Sequence, residues 1–131
     1  MLLRQVPRVI TQLYDRHLKP SGMIAAQFSL LRFISANHGA RTSDLAQALL
    51  IDVSTLTRTL ANLQSLGWIA PDVSEDRLER RWVIAREGRK RFDQAIPLWE
   101  RAQADRDEKI GGADMRRLAR TVSGISIKLA A

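Results

Sequence analysis

Apolar side chains recur at intervals of three and four residues along most of this chain, in segments that proline, glycine and capping residues separate. Side chains spaced in this way share one face of an α-helix, so the pattern predicts a mainly helical fold. The predicted helices cover residues 2–18, 23–37, a short stretch after Thr42, about 53–66, 86 to about 109, and a last stretch from 115 to 129. Thr42 and Asp52 are the predicted N-caps of the third and fourth helices, because their side-chain oxygens can accept from free amides.

One short region departs from the helical period and is typical of β-strands. The run Trp68-Ile69-Ala70 is β-prone and ends at Pro71-Asp72, and a return strand is predicted at residues 81–84. Residues 73–80 between them are too polar for a core and are rich in arginine. The sequence therefore predicts a β-hairpin with a solvent-exposed tip.

The predicted fourth helix divides its side chains between two chemically distinct faces. Leu56, Leu60 and Leu63 share one face, which we expect to point inward. The opposite face carries short polar groups and one arginine in place of a glutamate and lysine coat: Ser54, Thr55, Arg58, Asn62 and Ser65. This composition is typical of a helix that reads a partner, and the competing interpretation is an ordinary solvated helix face.

The charge balance indicates the chemistry of that partner. Among 131 residues, 21 lysines and arginines against 14 aspartates and glutamates leave a formal net charge of +7. Such a protein is attracted to polyanions, above all to nucleic-acid phosphates. An anionic membrane surface is the competing partner, but a membrane-surface helix would show a large apolar face beside lysines. We therefore expect double-stranded DNA as the partner, and no membrane.

Residue types that the chain lacks exclude or disfavour other classes of site. With no cysteine there is no disulfide or thiolate zinc site, and the two histidines, His17 and His38, accompany no glycine-rich phosphate loop or metal-spaced carboxylates. No stretch approaches the roughly 20 apolar residues of a membrane span, and residues 1–4 lack the apolar core of a signal peptide. We expect a cytoplasmic protein that is not an enzyme, with no catalytic residue, metal or cofactor.

Four local stretches and the order of the predicted elements are similar to those of a known protein family. The stretches are Gln27–Leu31, Leu45–Leu49, Ser54–Arg58 with Leu63–Ile69, and Asp76-Arg77 with Arg80. The predicted order is four helices, a two-stranded wing, a long helix and a final helix. This order and the four stretches resemble the MarR family of transcriptional regulators over essentially the whole chain. One departure is Ala85, because the family usually has a threonine or serine that caps the helix after the wing.

The resemblance implies a mainly α fold with a small β-hairpin wing, that is, a winged helix-turn-helix joined to a helical dimerisation region. Residues 1–131 then form one unit, in which 23–88 are the DNA-binding lobe and 1–22 and 89–131 the dimerisation lobe. The apolar faces of the terminal helices agree with this division, because so small a lobe cannot bury them within one chain. We expect a homodimer, with a self-contained monomer as the alternative.

The predicted fourth helix, which we call the reading helix, is expected to enter the major groove of DNA. The outward residues of its N-terminal half would there reach bases or nearby phosphates. We assign base reading chiefly to Arg58, because a guanidinium can bind guanine through two hydrogen bonds. Supporting contacts are expected from Ser54, Thr55, Thr57 and Asn62.

The wing is predicted to contact DNA through its arginines. Arg77 is the first choice for the minor groove, where narrow A·T-rich tracts concentrate negative potential, and Asp76 is expected to orient it. Arg80 and Arg81 alternate across a strand, so one should face DNA and the other should not. The alternative is a loop that is merely soluble.

The resemblance also implies a small effector, often an aromatic acid, bound between the two lobes. Candidate pocket residues are Tyr14, His17, Met23, Phe28 and Arg32, although aromatic and methionine side chains at helical spacing are more often core. The predicted function is a DNA-binding transcriptional regulator, a repressor that binds a pseudo-palindromic operator as a homodimer and is released by an aromatic or anionic effector. The alternative is a winged-helix interaction module that binds protein or an anionic surface rather than specific DNA.

Overall fold

A computed structural model describes residues 2–72, 80–110, 116–117 and 120–121 of the chain. Within these residues the elements are α1 (Leu2–Leu18), α2 (Ala25–Ala36), β1 (Ala40–Arg41), α3 (Thr42–Leu49), α4 (Val53–Ser65), β2 (Ile69–Pro71), β3 (Arg81–Ile84) and α5 (Arg86–Ile110). The prediction of a mainly helical fold with a small β-wing is confirmed. The apolar residues predicted for a last helix, from Met115 to Leu129, lie outside the described residues.

The strands form a small antiparallel sheet in the order β1-β3-β2. Ile69 pairs with Ile84 in the predicted β2–β3 hairpin, and Ala40 pairs with Trp82 in an additional β1–β3 pair. Strand β1 has only two residues, too few to show alternation, so the sequence did not predict it. Because β1 directly precedes α3, this extra pair attaches the helix-turn-helix to the base of the wing.

The core lies where α2, α3 and α4 meet the sheet and the first half of α5. The inward face of α4 is buried as predicted, with Leu56, Leu60 and Leu63 almost fully excluded from solvent. They pack in one cluster with buried side chains of the other elements, which include Leu31, Ile34, Leu45, Trp68, Trp82 and Phe92. Burial of a leucine side chain contributes about 1.5–3 kcal/mol, so this cluster holds α4 with its polar face outward.

The two predicted helix caps have different outcomes. Asp52 caps α4, because its carboxylate accepts from the main-chain amide of Thr55 at 2.8 Å. The prediction that Thr42 caps α3 was wrong: Arg41 is the N-cap residue, and its amide donates to the Asp44 carboxylate at 3.1 Å. The Thr42 hydroxyl accepts instead from Nε1 of Trp82 at 3.0 Å, since a buried indole N–H requires a partner.

Helix α5 begins against the start of the wing. The Ala85 amide donates to the carbonyl oxygen of Trp68 at 2.9 Å, and a Cβ added at Gly88 would overlap that same carbonyl group. The first turn of α5 therefore approaches the Trp68 backbone more closely than any side chain would allow. Among the described residues, no helix is both long enough and apolar enough to span a membrane.

Helix α1 packs along α5. Leu13 and Leu18 of α1, and Ala95 and Ala102 of α5, are buried, and small side chains on α5 let the two helices come close. Polar pairs join them as well: Nε2 of His17 lies 2.9 Å from Oδ2 of Asp105, and Arg106 donates to the Tyr14 hydroxyl at 2.7 Å.

Candidate nucleic-acid interface

The exposed face of α4 is built from short polar side chains and one long cation. Ser54, Thr55, Thr57, Arg58 and Asn62 are all exposed there. Within the described part of the chain, the Arg58 guanidinium has no hydrogen-bond or ion-pair partner, so it is available to a ligand. The surface therefore offers a free guanidinium among hydroxyl groups, on a helix that the leucine face holds in place.

Asp52 organises the start of this face. Its Oδ1 accepts from the Ser54 hydroxyl at 2.6 Å and from the Thr55 amide at 2.8 Å, and its Oδ2 accepts from the Thr55 hydroxyl at 2.8 Å. These three bonds, that of the Ser54 hydroxyl above all, lower the pKa of Asp52 to about 2, because they stabilise the charged form. The carboxylate is ionised at neutral pH and cannot donate.

Further along α4, the side chains of Thr57, Thr59 and Asn62 bond to their own helix or to α2. Thr57 and Thr59 donate to the carbonyl oxygens of Val53 and Thr55, at 2.7 and 3.0 Å. Oδ1 of Asn62 accepts from Gln27 of α2 at 3.4 Å. The residue-by-residue prediction did not include Gln27, because its partner on α4 lies 35 positions away along the chain, nor Thr59, whose hydroxyl bonds to its own helix.

The described base of the wing places its two arginines differently. Arg81 is half-buried and donates to the carbonyl oxygen of Gly39 at 3.2 Å, whereas Arg80 is exposed. The two arginines therefore differ in exposure, and the prediction that one of them faces DNA stays a prediction. Arg80 and Thr57 border one groove of about 390 Å³ between α4 and β3, so the wing base and the polar face of α4 adjoin. Asp76 and Arg77 lie outside the described residues.

The predicted effector residues do not share one site. Met23 and Phe28 are buried in the core. The Phe28 ring stacks against Phe92 and Trp99, with centroids 5.1 and 5.4 Å apart, and the exposed Arg32 guanidinium lies 4.5 Å from the Trp99 ring centroid.

Tyr14 and His17 lie elsewhere, at the contact between α1 and α5. Burial raises the pKa of Tyr14, while the hydrogen bond with His17 lowers the pKa of Asp105. The structure therefore brings Phe28 and Arg32 together around Trp99, and it pairs Tyr14 and His17 with charged residues of α5. Within the described ranges, no group of three or more histidine, cysteine, aspartate or glutamate side chains is placed to hold a metal ion.

Comparisons with known proteins agree on one family. A family model described as the MarR family matches residues 21–86. The chain is 25% identical over 92 residues to YwoH of Bacillus subtilis, an uncharacterised helix-turn-helix-type transcriptional regulator, which covers 70% of this chain and 67% of that protein.

Solved structures give the same result over nearly the full length. The transcriptional regulator MosR of M. tuberculosis, in complex with DNA, is 31% identical with a TM-score of 0.84, covering 97% of this chain and 92% of that one. A MarR mutant of E. coli complexed with operator DNA is 21% identical with a TM-score of 0.82, covering 95% and 90%. At that identity the second likeness shows the fold alone.

Proposed function

The chain belongs to the MarR family of DNA-binding transcriptional regulators, and on that premise we propose that it is a homodimeric repressor of a pseudo-palindromic operator. The observation that carries the proposal is the exposed face of α4, where Arg58 stands without a partner among the described residues, surrounded by hydroxyl groups. The regulator of M. tuberculosis to which the chain is 31% identical was solved in complex with DNA. The proposal places the protein in the cytoplasm, and it requires no catalytic group.

In this proposal α4 enters the major groove. Arg58 binds a guanine through its O6 and N7 atoms, and Ser54, Thr55, Thr57 and Asn62 make supporting contacts around it. A net charge of +7 supports binding to the phosphate backbone. The polar face has the width of one helix, which matches a single major groove.

The wing supplies the second proposed contact. We assign Arg77 and Arg80 to the minor groove or its phosphates, with Asp76 orienting Arg77. The support for Arg80 is its exposure and its position beside Thr57, across the groove between β3 and α4. A protein that places α4 in a major groove would bring Arg80 close to the adjacent backbone.

Dimerisation is proposed for residues 1–22 and 89–131, with 23–88 as the DNA-binding lobe. Val9 on α1 supports this division, because 59% of this apolar side chain is exposed while other residues of α1 pack on α5. A two-fold dimer presents two reading helices to successive major grooves. The half-sites should therefore lie about one helical turn, roughly 10 base pairs, apart.

We also propose that a small aromatic or anionic effector weakens operator binding. Arg32 supports an anionic ligand, since its exposed guanidinium borders a cleft of about 310 Å³ and lies over Trp99. Tyr14, His17, Met23 and Phe28 complete the candidate set. None of these four residues lines this cleft, and Met23 and Phe28 are buried in the core, so the support for the effector rests on Arg32.

Binding of the full-length chain to its own upstream DNA tests the proposal. Affinity is measured by fluorescence anisotropy against a scrambled duplex at two salt concentrations, and the mass of the free protein in solution is determined in parallel. Selective binding by a dimer is the expected result. Equal affinity for both duplexes would favour the alternative, a winged-helix module that binds protein or an anionic surface.

Arg58→Ala in the same assay tests the assignment of base reading. Loss of one bidentate contact should reduce the preference for the specific duplex by about 1–3 kcal/mol, or roughly fivefold to 150-fold. Arg101→Ala is the matched control, because it removes the same charge from an exposed site on α5. An unchanged preference in Arg58→Ala would contradict the role given to α4.

A further inference from the structure

The hydroxyl groups at the start of α4 have a definite hydrogen-bond polarity. A serine or threonine hydroxyl can donate one hydrogen bond and accept two, so on an isolated helix it would contact a donor or an acceptor equally well. Here each hydroxyl already faces a group that can only accept. Ser54 and Thr55 face the Asp52 carboxylate, and Thr57 faces the Val53 carbonyl oxygen.

The distances show that the hydroxyl protons are used inside the protein. The 2.6 Å between Ser54 Oγ and Asp52 Oδ1 is typical of a hydroxyl that donates to a carboxylate. The 2.8 Å from Thr55 and the 2.7 Å from Thr57 to Val53 are also full hydrogen bonds. Because the pKa of Asp52 is lowered to about 2, the carboxylate carries no proton of its own to return. The exposed oxygens therefore keep only their lone pairs for a ligand.

We propose that Asp52 holds the exposed hydroxyls of Ser54 and Thr55 as hydrogen-bond acceptors, so that α4 selects positions where the contacted strand carries adenine or cytosine, whose N6 or N4 amino group donates to these oxygens. This inference rests on the proposed placement of α4 in the major groove. Asp52 is a positioning residue in it, because it acts through the two hydroxyls and need not touch DNA.

The polarity also determines which contacts these hydroxyls avoid. If such an acceptor oxygen faced another acceptor, the lone pairs of the two atoms would repel each other. The acceptors that these hydroxyls should avoid are phosphate oxygens, O6 and N7 of guanine, and O4 of thymine. Arg58 has the reverse polarity, since a guanidinium only donates. The exposed face of α4 thus carries a donor for guanine, Arg58, and two acceptors for amino groups, Ser54 and Thr55. The half-site should therefore place adenine or cytosine beside a guanine.

Selection from randomised duplex DNA with the full-length protein identifies the half-site. Ser54→Ala and Thr55→Val then identify the base positions that each hydroxyl reads, and Ser65→Ala is the control on the C-terminal part of the same face. At a position read as adenine, replacement by purine, which lacks the N6 amino group, should weaken binding about threefold to tenfold. Replacement by 7-deazaadenine, which lacks only the N7 acceptor, should change binding little. At a cytosine the corresponding probe is 2-pyrimidinone, which lacks N4.

Asp52→Asn reverses the polarity at one hydroxyl and leaves the other as an internal control. The amide oxygen can keep the cap on the Thr55 amide and the bond from Ser54, since both use Oδ1. The amide nitrogen then replaces Oδ2 and donates to the Thr55 hydroxyl, whose proton becomes free. The Thr55 position should relax toward guanine or thymine, while the Ser54 position keeps its preference. Asp44→Asn removes the same charge at the start of α3 and should leave both positions unchanged.

The outcomes separate this inference from the proposed function. Adenine or cytosine at the mapped positions, with a shift at the Thr55 position in Asp52→Asn, supports the inference. Guanine or thymine at those positions in the wild type overturns it, as does an identical profile in a folded Asp52→Asn. If neither Ser54→Ala nor Thr55→Val alters base preference while Arg58→Ala does, the inference fails and the proposed function stands. If Asp52→Asn does not fold, the base-analogue measurements on the wild type decide alone.

Discussion

Two glycines near the base of the wing are needed for different physical reasons. Gly67 has a φ of +77° and open space around its Cα, so only its left-handed backbone conformation demands glycine. Gly88 is helical, but a Cβ there would overlap the backbone of Trp68. The first position tolerates a residue that accepts positive φ, whereas the second tolerates no side chain at all.

Gly88→Ala should therefore destabilise the fold, because the start of α5 must move away from the Trp68 carbonyl group. We expect a loss of about 1–3 kcal/mol or more in the free energy of unfolding, measured by urea denaturation. Gly67→Asn is the control and should cost less than about 1 kcal/mol, since asparagine adopts the left-handed conformation readily. Equal losses in the two variants would contradict the close approach.

Among the elements, α4 was the most predictable and the strand β1 the least. The leucine period and the Asp52 cap are local features, so the sequence alone predicts the inward face of α4 and its start. Local rules cannot predict a contact such as that of Thr42, because its partner, Trp82, lies 40 positions away along the chain. The polarity of Ser54 and Thr55 depends on atomic distances to Asp52, which residue types cannot give. For Met23 and Phe28 the sequence left two interpretations open, core or effector pocket, and only the packed structure places both side chains in the core.

The contact between α1 and α5 should respond to acid. The hydrogen bond with His17 lowers the pKa of Asp105 below that of a free carboxyl, about 3.9, so at low pH the unfolded chain binds the proton more readily than the folded one. The stabilisation is complete above about pH 5 and decreases as the pH falls through 4 and below.

Asp105→Asn should remove this part of the pH dependence, so that the urea midpoint of the variant falls less steeply than that of the wild type between pH 5 and 3. Asp93→Asn, at an exposed position of the same helix, is the control. A variant curve parallel to the wild-type curve would show that the His17–Asp105 pair does not link folding to pH.

At the scale of the whole molecule, the proposed dimer predicts a role for the exposed apolar surface of α1. Val9→Glu should weaken self-association, because a charge would replace an apolar side chain that is 59% exposed in the single chain. Sedimentation equilibrium should then show monomer at concentrations where the wild type is dimeric. Ile24→Glu adds the same charge at an exposed apolar site outside the proposed dimerisation lobe. Dissociation in both variants, or in neither, would remove the support that Val9 gives to this interface.

The net charge of +7 makes salt dependence the property that separates backbone binding from base reading. Each phosphate that the protein neutralises adds about −0.9 to the slope of log affinity against log salt. Arg80→Ala and Arg77→Ala should therefore each reduce the magnitude of that slope by about 0.9. They should also weaken binding to specific and scrambled duplexes alike, because both arginines are proposed to bind the minor groove or its phosphates rather than base edges in the major groove. Arg58→Ala should instead reduce the difference between the two duplexes, and Arg101→Ala should change neither quantity. If Arg80→Ala altered the preference between duplexes and left the slope unchanged, Arg80 would be reading sequence. The proposal that Arg80 neutralises a phosphate would then be wrong.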